Sequence, residues 1–286
     1  MERPASARSA SALRGDYALA RGDYTVEQDW GAYTPAKHDR WRRLHARQHR
    51  LAERHAAPQV LAGLDRFDSG SGIPDFAQAN ALLRAATGWA LVAVPGFIPD
   101  VHFFGHLARR QFPVTRWLRE ESEFDYLVEP DVFHDFFGHV PLLLDPSFAD
   151  FLQAYGKAGE RAMALDALPM LARIYWYTVE FGLIDAGGGV KAYGAGLVSS
   201  PGELVHATMS DALRLPFDPL RIMRTDYAID AFQKCYFVIG SMDELIDGLV
   251  DLDFGPIYEE WRGAVPIPAG VILDSERPWR AGGPAP

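Results

Sequence analysis

Two histidines and a glutamate carry the most specific chemistry in this chain. The run His134-Asp135-Phe136-Phe137-Gly138-His139 is followed at a distance by Glu180, which closes the aromatic stretch Tyr175-Trp176-Tyr177-Thr178-Val179. Two imidazoles and one carboxylate are the ligand set that holds a non-heme Fe(II) on one face and leaves the other face open for oxygen chemistry. The same set serves zinc hydrolases. Their usual His-Glu-x-x-His pattern, with a general-base glutamate between histidines four apart, is missing here. Iron is favoured over zinc by that difference alone. The plainer alternative is two buried, hydrogen-bonded histidines and a salt-bridged Glu180. Three such groups in apolar, aromatic settings weigh against it, because a carboxylate on a buried helix is costly unless paired or metal-bound.

The spacing poses a geometric problem. Positions 134 and 139 diverge by about 140° on an ideal α-helix. Gly138 and Pro141 suggest that the helix ends between the histidines. Glycine tolerates backbone angles that other residues resist, and a proline disfavours helical geometry at the residue before it, Val140. His139 is then free to swing back toward His134. A rival pair, His45 and His49, has i, i+4 spacing, but Arg42, Arg43, Arg47 and Arg50 surround it and would repel a cation. That helix reads as a solvated face.

The elements that must position these residues are mostly helical. From His38 to Ala57, positions Trp41, Leu44, Gln48, Leu51 and His55 step by three and four along one face. Asp75 opens a helix through Ala86, with Gly88 where a C′ glycine belongs. Trp89 to Val94 is β-prone and stops at Pro95-Gly96. Asp100 caps a helix to about Arg110, Asp131 caps the segment with both histidines, and Asp145-Pro146 starts another helix. Leu168-Pro169 starts the long helix that runs through Glu180. Lys191 to Leu197 reads as a short strand or loop. Ser200-Pro201-Gly202-Glu203 and Ser241-Met242-Asp243-Glu244 are capping boxes, Asp218-Pro219 opens a short helix, and the stretches from Tyr227 and from Tyr236 to Ile239 look like small strands.

The expected fold is mainly α: a single helical catalytic domain over 25–275 with a few short β-strands, preceded by a disordered leader (1–24) and followed by a flexible tail (276–286). With 286 residues and 48% hydrophobic content the chain can bury a large core. A formal net charge of -10 argues against nucleic acid or an anionic membrane as a partner. No apolar run approaches the roughly 20 residues of a membrane span, and residues 1–22 carry no signal-peptide core. The single cysteine, Cys235, excludes an intrachain disulfide and reads as a buried inert thiol, which fits a reducing cytoplasm.

Three ordered blocks extend the reading. Asp125-Tyr-Leu-Val-Glu-Pro-Asp-Val-Phe-His-Asp-Phe-Phe-Gly-His-Val-Pro-Leu-Leu, Ile174-Tyr-Trp-Tyr-Thr-Val-Glu-Phe-Gly-Leu and Lys191-Ala-Tyr-Gly-Ala-Gly-Leu-Val-Ser-Ser resemble the pterin-dependent aromatic amino acid hydroxylases. The single-domain bacterial enzymes acting on phenylalanine are the most similar, and the resemblance covers about residues 25–245. It implies Fe(II), molecular oxygen and a tetrahydropterin (tetrahydrobiopterin or a relative), and so resolves iron against zinc. It also implies conversion of L-phenylalanine to L-tyrosine; a sister enzyme acting on tryptophan shares the iron residues, and a zinc hydrolase is the different-chemistry rival. By resemblance, His134, His139 and Glu180 match the iron ligands. Arg119 matches the arginine that grips the substrate carboxylate, as a bidentate guanidinium fork can, and Asp131 the residue that orients it. Pro130, Trp176 and the His134 ring resemble the walls of the side-chain pocket, and Ser199 a serine near both amino acid and first histidine. For the pterin, Gly96 and Phe97 match a backbone-contact loop, Phe103 the stacking ring, and Asp135 a carboxylate that bonds it through water. Leu127 stands where animal relatives carry a threonine that touches substrate. The chain lacks the regulatory domain and tetramerising tail of those relatives, so a monomer is expected.

Overall fold

The computed structural model describes residues 14–281, except 126, 128, 230, 251 and 252. Its helices in chain order are α1 (Pro35–His55), α2 (Pro58–Arg66), α3 (Phe76–Ala86), α4 (Asp100–Ala108), α5 (Pro146–Ala164) and α6 (Leu168–Tyr175). They continue with α7 (Ala195–Val198), α8 (Pro201–Met209), α9 (Pro219–Met223), α10 (Asp243–Val250) and α11 (Phe254–Trp261). The strands are β1 (Ala90–Val94), β2 (Gln111–Thr115), β3 (Leu183–Asp185), β4 (Val190–Ala192), β5 (Leu213–Pro216) and β6 (Cys235–Ile239). The chain is mainly α with short strands, as its pattern implies.

Local signals account for most boundaries. Thr34 caps α1 by accepting from the Lys37 N–H at 3.3 Å, with Pro35 in the first turn, so the helix starts upstream of the expected His38. Asp75 caps α3 and Asp145 caps α5 in the same way. Gly88, just beyond α3, adopts a left-handed φ of 77°. The stretch from Tyr227 is not a strand. The strands that join the site's support instead include β2 and β5, which carry prolines and were not evident from alternation.

Two small sheets deliver site residues. β1 pairs parallel with β2, Ala90 opposite Gln111 through Val94 opposite Thr115, with α4 as the crossover. Both strands therefore end at the same edge, releasing Pro95-Gly96-Phe97 from one and Arg116 to Arg119 from the other. The second sheet has the order β4-β3-β6-β5, antiparallel only between β3 and β4.

The segments carrying the candidate ligands correct one expectation. The helix does not end between the histidines. His134–His139 is a π-helical turn that continues into a tight turn over Val140–Leu144, and Trp176–Glu180 is a second π turn ending α6. The Phe181 N–H reaches Trp176 O at 2.9 Å, the five-residue bond of such a turn. Widening the helix lets residues five apart share a face. Gly138 keeps an ordinary φ, so backbone freedom is not its role. A Cβ there would lie 2.9 Å from both the Cβ and the carbonyl oxygen of Ala195, so glycine is needed for close approach of α7.

The back of this turn is anchored in the core. Phe133 and Phe136 meet the ring of Trp41 from α1 at 5.3 and 6.1 Å, and Phe136 also meets Phe67 at 5.4 Å. Phe133, Phe136 and Phe137 are essentially inaccessible to solvent. Each such burial is worth about 1.5–3 kcal/mol. That apolar anchoring turns the two histidines toward the opposite side.

Residues 14–24, expected from composition to belong to a disordered leader, instead make defined contacts. His106 Nε2 lies 2.9 Å from Asp23 O and the Tyr17 hydroxyl donates to Phe97 O at 2.9 Å, while just beyond the stretch the Val26 N–H donates to Ala93 O at 2.8 Å. Residues 1–13 of that leader, and 282–286 of the expected tail, lie outside the described residues.

Candidate active site

The two π turns bring the three candidate ligands together. His139 Nε2 lies 3.2 Å from Glu180 Oε1, and His134 Nε2 lies 3.6 Å from Glu180 Oε2. The imidazoles meet nearly at right angles, their centroids 5.1 Å apart. Ser199 decides the state of His134. Its hydroxyl donates to Ala195 O at 2.8 Å, so its oxygen must accept from His134 Nδ1, also at 2.8 Å. Nδ1 then carries the proton and Nε2 a lone pair.

Electrostatics make this arrangement incomplete without a cation. Burial drives His134 down to about 4, despite the opposing pull of Glu180, so the ring is neutral at pH 7. Burial pushes the Glu180 carboxyl up, but His139, His134 and the Gly196 N–H outweigh it and hold it below the usual carboxylate range. A lone pair therefore faces a half-buried carboxylate, an unfavourable contact that a metal ion between them would reverse. The residues fit a divalent cation bound by two nitrogens and a carboxylate.

Asp135 competes on distance. His134, Asp135 and His139 also place one ligand atom each within 4.8 Å of one another. We favour Glu180, because Asp135 Oδ2 already accepts the Thr115 N–H at 2.7 Å. Burial also raises the Asp135 carboxyl to about 7, against the pull of His139 and Thr115, so it offers less charge to a cation.

Arg119 and Asp131 form a closed pair beside this centre. Asp131 is fully buried and Arg119 is 4% exposed. The Arg119 Nε and Nη2 groups donate to Asp131 Oδ2 and Oδ1 at 2.9 and 2.8 Å, and the Arg119 backbone N–H to Oδ2 at 2.9 Å. Oδ1 also accepts the His134 N–H at 3.0 Å, capping the histidine turn. Burial raises this carboxyl, yet Arg119 and these N–H groups bring it below its ordinary range. Asp131 thus fixes the arginine and the first histidine through one carboxylate. Pro130, half-buried, directly precedes it.

Trp176 lies on the same π turn as Glu180. Its indole stacks on Tyr227 at 4.4 Å and meets Phe181 at 4.7 Å, and its Nε1 donates to Gln233 Oε1 at 3.0 Å. Phe103, from α4, is half-buried against Tyr175 at 5.6 Å, and Tyr175 in turn lies 6.2 Å from the His139 ring. Gly96 and Phe97 sit at the end of β1 against Arg14 and Tyr17. His134, His139, Glu180, Ser199, Asp131, Arg119 and Asp135 are thus joined by direct contacts or backbone adjacency, with Phe103 and Trp176 a ring further out. His45, expected on a solvated face, is partly buried, bonded to Ser69 Oγ at 3.1 Å and stacked on His49.

Residues 23–252 match the family model of biopterin-dependent aromatic amino acid hydroxylases. The chain belongs to that family. It is 50% identical over 262 residues to the phenylalanine-4-hydroxylase of Chromobacterium violaceum, covering 91% of this chain and 88% of that protein. The phenylalanine-4-hydroxylase of Caulobacter vibrioides is 51% identical over 259 residues, covering 90% and 88%. The iron- and phenylalanine-bound crystal structure of the Chromobacterium violaceum enzyme matches with a TM-score of 0.86 at 48% identity, over 94% of this chain and 97% of that one.

Within this hydroxylase the sequence motifs mark the candidate ligands and miss their supports. The Thr115 N–H that holds Asp135 has no side-chain signature. Gln233, 3% exposed, presents its amide oxygen to Trp176 and its NH2 to Ala228 O, a role that only burial reveals. Glu203 is half of the expected capping box: Ser200 Oγ accepts its N–H at 3.4 Å. The carboxylate turns instead to the Gln233 N–H at 2.8 Å and the Tyr236 hydroxyl at 3.0 Å. Burial raises this carboxyl, and the Gln233 N–H and Tyr236 hydroxyl offset part of that cost.

Proposed function

We propose that this hydroxylase is a phenylalanine 4-monooxygenase. It converts L-phenylalanine, oxygen and a tetrahydropterin into L-tyrosine and a 4a-hydroxypterin, at one Fe(II) held by His134, His139 and Glu180. The observation that carries this reading is the pair of histidine Nε2 atoms set 3.6 and 3.2 Å from the two oxygens of one carboxylate, with the His134 lone pair aimed inward by Ser199. Bound iron and tetrahydropterin together supply the oxygen activation that no side chain can perform.

The protein's own part is positioning and exclusion of water. Arg119 has five N–H donors on its side chain and gives two to Asp131, which leaves three for a second carboxylate, that of the amino acid. Asp131 keeps the fork in place and, through the His134 N–H, keeps it in register with the metal. The indole of Trp176, pinned by stacking and by Gln233, walls the substrate ring together with Pro130 and the His134 ring. Gly96, Phe97, Phe103 and Asp135 form the pterin face, with the part-protonated Asp135 able to accept or donate a hydrogen bond through water.

The enzyme acts as a monomer in a reducing cytoplasm. In support, the described residues of a single chain bury one extensive hydrophobic core, and its one cysteine is a buried free thiol; no described helix is long and apolar enough to cross a membrane. Aerobic turnover by Fe(II)-loaded protein with tetrahydropterin and each of phenylalanine, tryptophan and tyrosine tests the substrate. Tyrosine formed fastest from phenylalanine supports it; preferred oxidation of tryptophan replaces it with the sister activity. Sedimentation at 31.7 kDa tests the monomer.

A further inference from the structure

We propose that Arg14–Tyr17 is a positioning strap that clamps the 95–97 loop to the 117–131 segment, holding the pterin face and the amino acid face as one unit. The proposal deepens the functional reading and rests on its assignment of Gly96 and Phe97 to the pterin.

Two facing glycines make the contact possible. Gly15 has a φ of 105°, a left-handed angle that favours glycine, and a Cβ there would meet Pro95 O at 1.9 Å. From the other side, a Cβ on Gly96 would meet Arg14 O and the Tyr17 hydroxyl oxygen, each at 2.8 Å. Strap and loop backbones thus approach more closely than side chains would allow. The Tyr17 hydroxyl then donates to Phe97 O at 2.9 Å. Burial, with Glu129 nearby, raises this hydroxyl above its ordinary range, so it remains a donor. Asp16 stabilises the turn by accepting the Ala18 N–H at 3.2 Å.

The other edge of the strap holds the second loop. Arg14 Nη1 pairs with Glu123 Oε2 at 2.8 Å, its guanidinium lies 4.8 Å over the Trp117 ring, and its backbone N–H points to Glu129 Oε2 at 3.4 Å. Glu129 is two residues from Asp131, and Trp117 O accepts the Val132 N–H at 2.9 Å. The same short segment therefore touches the loop leaving β1 and the side chains of Trp117, Glu123 and Glu129, which lie close in sequence to the Arg119–Asp131 pair. Behind it, the bonds of Asp23 to His106 and of Val26 to Ala93 keep the strap from swinging away.

The test uses the full-length, iron-loaded protein. In Tyr17→Phe, the dissociation constant of a redox-inert dihydropterin, read by calorimetry, rises about three- to tenfold, the worth of one hydrogen bond. Hydrogen exchange at the amides of Gly96, Phe97 and Ile98 quickens, while the KM for phenylalanine and the iron content stay within twofold. In Arg14→Ala, which frees the other edge, the KM for phenylalanine rises as well. Unchanged pterin affinity in both variants overturns the strap, as does a uniform loss of iron, melting temperature and both affinities, which marks a merely structural contact. Phe103→Ala separates the causes. If it weakens dihydropterin binding while the strap variants do not, the strap alone is wrong; if it too binds normally, the pterin face is misassigned and the proposal falls with it.

Discussion

Ser199→Ala is the perturbation that probes the centre most directly. The Ser199 hydroxyl has one proton, given to Ala195 O, so it is the acceptor that holds the proton of His134 on Nδ1. Alanine leaves that Nδ1–H without a partner in a largely buried site, which costs about 1–3 kcal/mol. It also lets the ring change tautomer or rotate, withdrawing the Nε2 lone pair from Glu180. At about 1.4 kcal/mol per tenfold, Fe(II) affinity should fall some 5- to 150-fold, in keeping with the roughly 10- to 100-fold effects of partners to metal-binding histidines. Competition against a calibrated chelator measures the Fe(II) dissociation constant, and thermal unfolding of the metal-free protein checks that the fold is intact. Ser199→Thr, which keeps a hydroxyl, should recover much of the loss. Fe(II) affinity within twofold of the parent in Ser199→Ala, with an unchanged metal-free melting temperature, would refute the tautomer argument.

Three further outcomes are expected. Arg119→Lys replaces a fork by a point charge and strips charge-assisted bonds of about 1.5–3 kcal/mol each from the amino acid. Its KM for phenylalanine should rise at least tenfold in steady-state assays while pterin KM holds, and an unchanged KM removes Arg119 from the carboxylate site. Gly138→Ala drives a methyl into Ala195 at 2.9 Å, so the denaturation midpoint should drop by the equivalent of about 1–3 kcal/mol, with weaker iron binding as α7 and Ser199 are pushed back. Fe(II) at a hundred times its dissociation constant should stabilise the parent by about 2.7 kcal/mol, visible as a rise of several degrees in melting temperature. His134→Ala should lose most of that rise; a full response would show that the ion binds elsewhere.

What the sequence determined by itself is the chemistry of the parts. Side-chain type is enough to single out His134, His139 and Glu180 as a candidate metal-ligand set, with iron over zinc resolved only by the resemblance, and helix starts follow from caps such as Asp75 and Asp145, whose bonds lie within three residues of chain. Arg119 was legible only through resemblance, since between Leu118 and Glu120 it looks like a surface residue; burial against Asp131 depends on a segment twelve positions away. The tertiary structure decided the rest. Whether a helix stays α or widens to a π turn is a small local energy difference, tipped by the Phe133 and Phe136 rings packing on Trp41 and by α7 pressing on Gly138. That widening, and not the expected helix end, faces the histidines toward each other. The ordering of residues 14–24 was hidden for the same reason: a short, largely polar stretch has too little apolar surface to fold alone. It is held by a hydroxyl, a guanidinium and two close glycine contacts that exist only once β1 and the 117–131 segment are in place.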